Sequence, residues 1–190
     1  MAQAMSFFNL GNEKDTALYN NLIKESRVNG FWISILNRYF PAPDYFIDAE
    51  ARIDNTSRVD LVVKRLSWVN FDPIYTPVIV FEGKGTNSHD NPEKIRGQLG
   101  KYAGYAATKQ GSTVWCIGAK GQEVFFYHYK RGDETDLKPV SVGTKADGTA
   151  DVKAQRISKD ASSYQLGSGF NSIHLILDYI RSGSGPRFYS

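Results

Sequence analysis

Apolar residues recur with different periods along the chain, and those periods predict its elements. Residues 12–40 carry a broken apolar stripe, Leu18, Leu22, Ile23, Ile35 and Leu36, at helical spacing. Asp15 is placed to cap this helix and Gly30 to divide it into two pieces, and Pro41 and Pro43 stop it. Residues 45–53 alternate as a first strand, with Asp54-Asn55 as the turn into a second at 58–63. Residues 66–76 read as a loop, because Asn70 and Asp72-Pro73 are breakers. From Pro77 the chain is apolar at consecutive positions through Phe81, which predicts a strand buried on both faces. A polar loop at 86–92 leads to a helix over about 93–109. Residues 112–119 and 123–129 then form a hairpin around Lys120-Gly121. Residues 132–169 are polar and glycine-bearing with no clear period. Ile173, Leu175, Ile176 and Ile180 mark a short helix at 171–181, before a loose tail.

Composition narrows the class. At 190 residues with 41% hydrophobic and 13% aromatic content, the chain has the makeup of a globular domain and can bury a sizeable core. We expect a single domain over 1–190, with a core at about 12–130 and a C-terminal extension at 131–190. A formal net charge of +3 suits a polyanionic partner without requiring one. The one cysteine, Cys116, lies in an apolar run and allows no internal disulfide, which fits a reducing compartment. No apolar run is long enough to cross a membrane, and the first residues lack the basic region and apolar core of a secretory signal. The expectation is therefore an intracellular protein, cytoplasmic or nuclear, with no membrane partner. One cysteine and three scattered histidines argue against zinc chemistry.

The chemistry concentrates where the buried strand ends, at Glu82-Gly83-Lys84-Gly85. Glu82 and Lys84 are two apart, so on a strand they project from one face. A carboxylate and an ammonium at the end of a buried strand are costly unless they pair or bind something. Upstream, Asp60 interrupts the apolar run of the second strand and could supply another carboxylate if the two strands are neighbours. Two carboxylates, a backbone carbonyl and waters suit Mg²⁺. Downstream, Gln98 and Tyr102 lie four apart at the start of the predicted helix.

This order of strand-Asp, strand-Glu-x-Lys and helix with Gln and Tyr resembles the PD-(D/E)XK nuclease superfamily, the restriction-endonuclease-like fold. The resemblance covers roughly residues 45–129. Val59 stands where the family name has proline, and Gly83 and Gly85 replace bulkier residues common around the motif. The fold it implies is α/β: a central mixed β-sheet flanked by helices, an αβββαβ core plus an extra strand and a C-terminal helix. The implied activity is Mg²⁺- or Mn²⁺-dependent hydrolysis of phosphodiester bonds in nucleic acid, with DNA favoured over RNA. By the same resemblance, Asp60 and Glu82 would hold the metal with the backbone carbonyl of Gly83. Lys84 would orient the attacking water, help deprotonate it and stabilise charge on the phosphate. Gln98 and Tyr102 would steer the water, Lys84 or the backbone phosphate. Glu25 on the first helix matches a position where some members place a further metal carboxylate. Lys94, Arg96 and Lys101 form a basic helix surface that would contact phosphates, and a homodimer is common in the fold.

Other residues have plainer readings. Asp72 rivals Asp60 but sits in an Asp-Pro pair that suits a turn, and Asp48 and Glu50 suit solvent-facing alternation. Tyr102 and Tyr105 could simply pack the helix on the sheet. His89 is a loop residue near the motif, and His128 and His174 read as structural. Two other classes remain: a catalytically silent module of this fold binding nucleic acid or a protein partner, and a different α/β hydrolase or transferase. For the latter there is no Walker-type glycine loop and no Gly-x-Ser-x-Gly elbow.

Overall fold

A computed structural model describes residues 12–52, 57–110, 113–131, 137–154, 162–183, 185 and 187–188. Among these residues the chain order is α1 (Glu13–Asn20), α2 (Glu25–Tyr39), β1 (Tyr45–Arg52), β2 (Arg58–Val69), β3 (Asp72–Lys84), α3 (Pro92–Gln110), β4 (Thr113–Lys120) and β5 (Glu123–Lys130). There follow β6 (Lys138–Thr144), β7 (Ala150–Ala154), β8 (Ser163–Gln165), α4 (Phe170–Arg181) and β9 (Arg187–Phe188). The strands form an open mixed sheet in the order β1-β2-β3-β4-β5-β6-β7-β9, and β8 pairs with β5 beside β6. β3–β4 and β7–β9 are the parallel pairs. The α/β class with a central mixed sheet and flanking helices is as expected.

Both faces of the sheet are covered, which is why the middle of β3 is apolar at every position. On one face α2 and α4 bury Trp32, Leu36, Phe81, Phe126, Ile173 and Leu177 in one core layer. On the other, α3 buries Ile95, Leu99 and Ala103 against Val62, Val80 and Cys116.

Three predicted elements differ from the structure. The long N-terminal helix breaks at residues 21–24, where Asn21 caps α1, and not at Gly30, which lies inside α2. The cap at the start of α1 is Asn12, whose side chain accepts from the backbone N–H groups of Lys14 and Asp15; Asp15 is within the helix. Residues 66–76 are not a loop: β2 and β3 run through them as a hairpin turning at Asn70-Phe71. Pro73 does not end that pairing, because among the described residues β3 has no second neighbour until Ile79. The region 132–169 supplies β6, β7 and β8, short strands whose sequences lack a long apolar run. The expected turn at Asp54-Asn55 lies outside the described residues.

Candidate functional site

The site forms where β2 and β3 emerge from under the helices. Leu61 pairs with Phe81, so Asp60 stands opposite Glu82 one position further along the antiparallel ladder. Glu82 and Lys84 are both buried. Lys84 Nζ donates to Glu82 Oε1 at 2.8 Å and to Glu25 Oε2 at 3.2 Å. Glu25 is the first residue of α2, where an acidic side chain also suits the helix dipole. Asp60 Oδ2 accepts from the backbone N–H of Gly83 at 2.8 Å.

Close approach explains the glycines. A Cβ on Gly83 would lie 2.2 Å from Asn29 Oδ1, and one on Gly85 would lie 2.1 Å from the Ile23 carbonyl oxygen. β3 can therefore pass directly beneath α2 and the connection that precedes it. Asn29 follows Glu25 by one helical turn and faces the same way. Its side chain lies near enough to Asp60 to favour the ionised carboxylate weakly, while its buried Oδ1 has no hydrogen-bond partner among the described residues. Sequence reasoning missed Asn29, and the i, i+4 spacing from Glu25 was the only signal that pointed to it.

The electrostatics are those of crowded carboxylates. Burial, then the charge of Asp60, pushes the Glu82 carboxyl up to about 7, against the opposing hydrogen bond and charge of Lys84. Burial also raises Asp60, against the Gly83 N–H and Lys84. Lys84 is raised as well: although burial disfavours its charge, the hydrogen bond and charge of Glu82, with Asp60 and Glu25, outweigh it. Glu82 Oε2 is buried with no hydrogen-bond partner. Among the described residues, no group of three or more His, Cys, Asp or Glu side chains stands ready to hold a metal ion.

The remaining predicted residues are spread along α3 and the sheet. Gln98 is half-buried, and its Oε1 is buried without a partner. Tyr102 is buried in the core layer between α3 and the sheet. Lys94 pairs with Asp90, and Arg96 donates to the Leu137 carbonyl. Lys101 reaches the Ser57 hydroxyl. Arg96 and Lys101 flank a groove of about 570 Å³ floored by Gly97, Gly100 and Gly104. Asp72 lies at the opposite end of β3 from Glu82. Asp48 pairs with Lys64 and Glu50 with Arg58. His128 is buried, His174 hydrogen-bonds the Tyr39 hydroxyl, and His89 is exposed.

No protein-family model, curated protein or solved structure matches this chain. Among the described residues no helix is long and apolar enough to cross a membrane.

Proposed function

We propose that this chain is a divalent-metal-dependent nuclease of the PD-(D/E)XK type that hydrolyses phosphodiester bonds of nucleic acid, with DNA favoured over RNA. The observation that carries this reading is the Asp60–Glu82 pair. Two partly or fully buried carboxylates face each other across neighbouring strands, one with an oxygen that no group among the described residues satisfies. Such a pair is unfavourable alone and is relieved by a cation. By donor type Asp60, Glu82, the Gly83 carbonyl and Glu25 suit Mg²⁺ or Mn²⁺, although among the described residues the three carboxylates are not gathered into a ready cluster, so a bound cation would have to draw them together. A divalent cation held there would supply Lewis acidity, lowering the pKa of water and offsetting charge on the phosphate.

The chain's own groups then have distinct tasks. Lys84 is held protonated by the carboxylates around it, so it lacks the lone pair a base needs. Its work is to orient water and offset charge developing on the phosphate oxygens. The Gly83 N–H fixes the Asp60 carboxylate in place, with Asn29 beside it. Gln98, with its buried and unpartnered Oε1, is suited to accept from a water. Attack forms one P–O bond and breaks another, and the proton lost by water is matched by one gained at the leaving oxygen.

The test is cleavage of labelled single- and double-stranded DNA and RNA with Mg²⁺ or Mn²⁺, comparing wild type with Asp60→Asn and Lys84→Ala. We expect metal-dependent cutting that falls by about 100-fold or more in each variant. An inert wild type whose nucleic-acid binding is unchanged in both variants would replace this reading with a catalytically silent binding module.

A further inference from the structure

Among the described residues, the β2–β3 hairpin continues beyond its neighbouring strands alone. β1 pairs with β2 only as far as Arg65, and β4 joins β3 only from Ile79, while β2 and β3 stay paired to Val69 and Asp72. Residues 66–76 thus form a two-stranded ribbon clear of the sheet, an arrangement marginal by itself. It exposes large apolar side chains beside Ser67, Asn70 and Asp72: Phe71 is 97% exposed, Trp68 65%, Val69 52% and Tyr75 43%. Phe46 of β1, 51% exposed, stands edge-on to Tyr75 with ring centroids 5.8 Å apart. At the turn, Asn70 and Phe71 both have positive φ, 51° and 68°. Asparagine accepts that region readily, but for phenylalanine it is strained, and Phe71 gains almost no burial in return.

Two features indicate what covers these rings. Pro73 and Pro77 remove N–H donors from β3 where no strand accompanies it, so strand addition by another chain is disfavoured along that edge. The ribbon offers ring faces instead. The second feature is continuity. The register shift at Val63/Lys64 keeps Tyr75 and Pro77 on the same sheet face as Val80, and hence Glu82. A groove of about 200 Å³ runs along that face between Tyr75 and Val80, with Arg52, the Lys64–Asp48 ion pair, Tyr102 and Tyr105 in its walls. From Tyr75 to Glu82 the strand covers ~23 Å at ~3.3 Å per residue, a span for a few extended nucleotides.

We propose that the ribbon is a stacking platform for the unpaired bases of a single nucleic-acid strand, whose backbone follows the groove toward Glu82. This deepens the nuclease reading and rests on it for direction: the preferred substrate carries a single-stranded stretch beside the cut. Bases stack on exposed aromatic rings without regard to sequence, and flanking cations follow the backbone.

The chain carries its own probe. Trp32 and Trp115 are buried beyond the reach of a bound base, so a change in emission on binding that is lost in Trp68→Ala reports the ribbon. The full chain in EDTA is titrated with octathymidylate and with a blunt duplex of equal length. We expect quenching by the single strand, tighter binding of it than of the duplex, and affinity lowered about 5- to 100-fold in Trp68→Ala and in Phe71→Ala. Both side chains are exposed, and thermal melts confirm that the variants fold. Unchanged emission, or unchanged affinity in both variants, overturns the platform. So does a concentration-dependent dimer that the two variants abolish, which assigns the surface to a second copy of this chain. Binding here needs no metal. A ribbon that binds in a protein that cuts nothing removes only the nuclease reading, and cutting with ribbon-independent binding removes only the platform.

Discussion

Glu82 and Gly83 show how single side chains are committed at this site. The Glu82 carboxyl ionises near 4.5 in an unfolded chain and at about 7 in the fold. The folded state therefore holds the extra proton between those values. Glu82's contribution to stability is present below about 4.5 and is lost as the pH rises through 7. Asp60 shifts in the same direction, and Lys84 stays charged throughout this window. The melting temperature of wild type should fall relative to that of Glu82→Gln between pH 5 and pH 8, and parallel curves would refute the raised carboxyl. At Gly83, an added methyl overlaps Asn29 Oδ1 before any backbone atom. Gly83→Ala should cost about 1–3 kcal/mol in a denaturant melt, with much of it recovered in Gly83→Ala/Asn29→Ala. Strict additivity of the two changes would mean that they do not meet.

Among the elements, α2 carries two of the site residues, and its interior contains a weakness. Gly30 lies mid-helix with nothing within 4 Å of where its Cβ would stand. Gly30→Ala removes backbone freedom from the unfolded chain without a clash, so it should stabilise by about 0.5–1 kcal/mol. For a chain of this size that is a rise of about 1–4 °C in a thermal scan. A fall would show that α2 needs to bend there. The same glycine explains why the predicted break was misplaced: propensity penalises glycine in any helix, but the packing of Val28, Trp32, Ile35 and Leu36 on the sheet outweighs about 1 kcal/mol. Residues 66–76 failed as a loop prediction for a related reason. Asn70 and Asp72-Pro73 are turn signals, yet only Asn70-Phe71 turns, and the flanking residues pair on either side.

For the whole molecule, folding and ion binding should be linked. A cation that binds only the folded state raises the melting temperature by mass action. Its binding must displace the proton held by Glu82, so the stabilisation by Mg²⁺ or Mn²⁺ should be larger at pH 8 than at pH 6. Asp60→Asn and Glu82→Gln should each abolish it. A metal-independent melting temperature at both pH values in the wild type would count against the cation site whether or not any substrate is found.

The apolar run of residues 78–81 determined by itself that a buried central strand ends in Glu82 and Lys84, since only a strand covered on both faces tolerates four such positions in a row. Asp60, in an apolar run of its own, was legible in the same way. The tertiary structure alone decided that Asp60 stands opposite Glu82, because the register comes from a hairpin whose turn was hidden in apparent loop residues. Only the packing of α2 across β3 brought Asn29 near Asp60, and only the lack of a flanking strand among the described residues left Trp68 and Phe71 exposed. Periodicity records which side of an element is buried; it carries no information about which distant element does the burying.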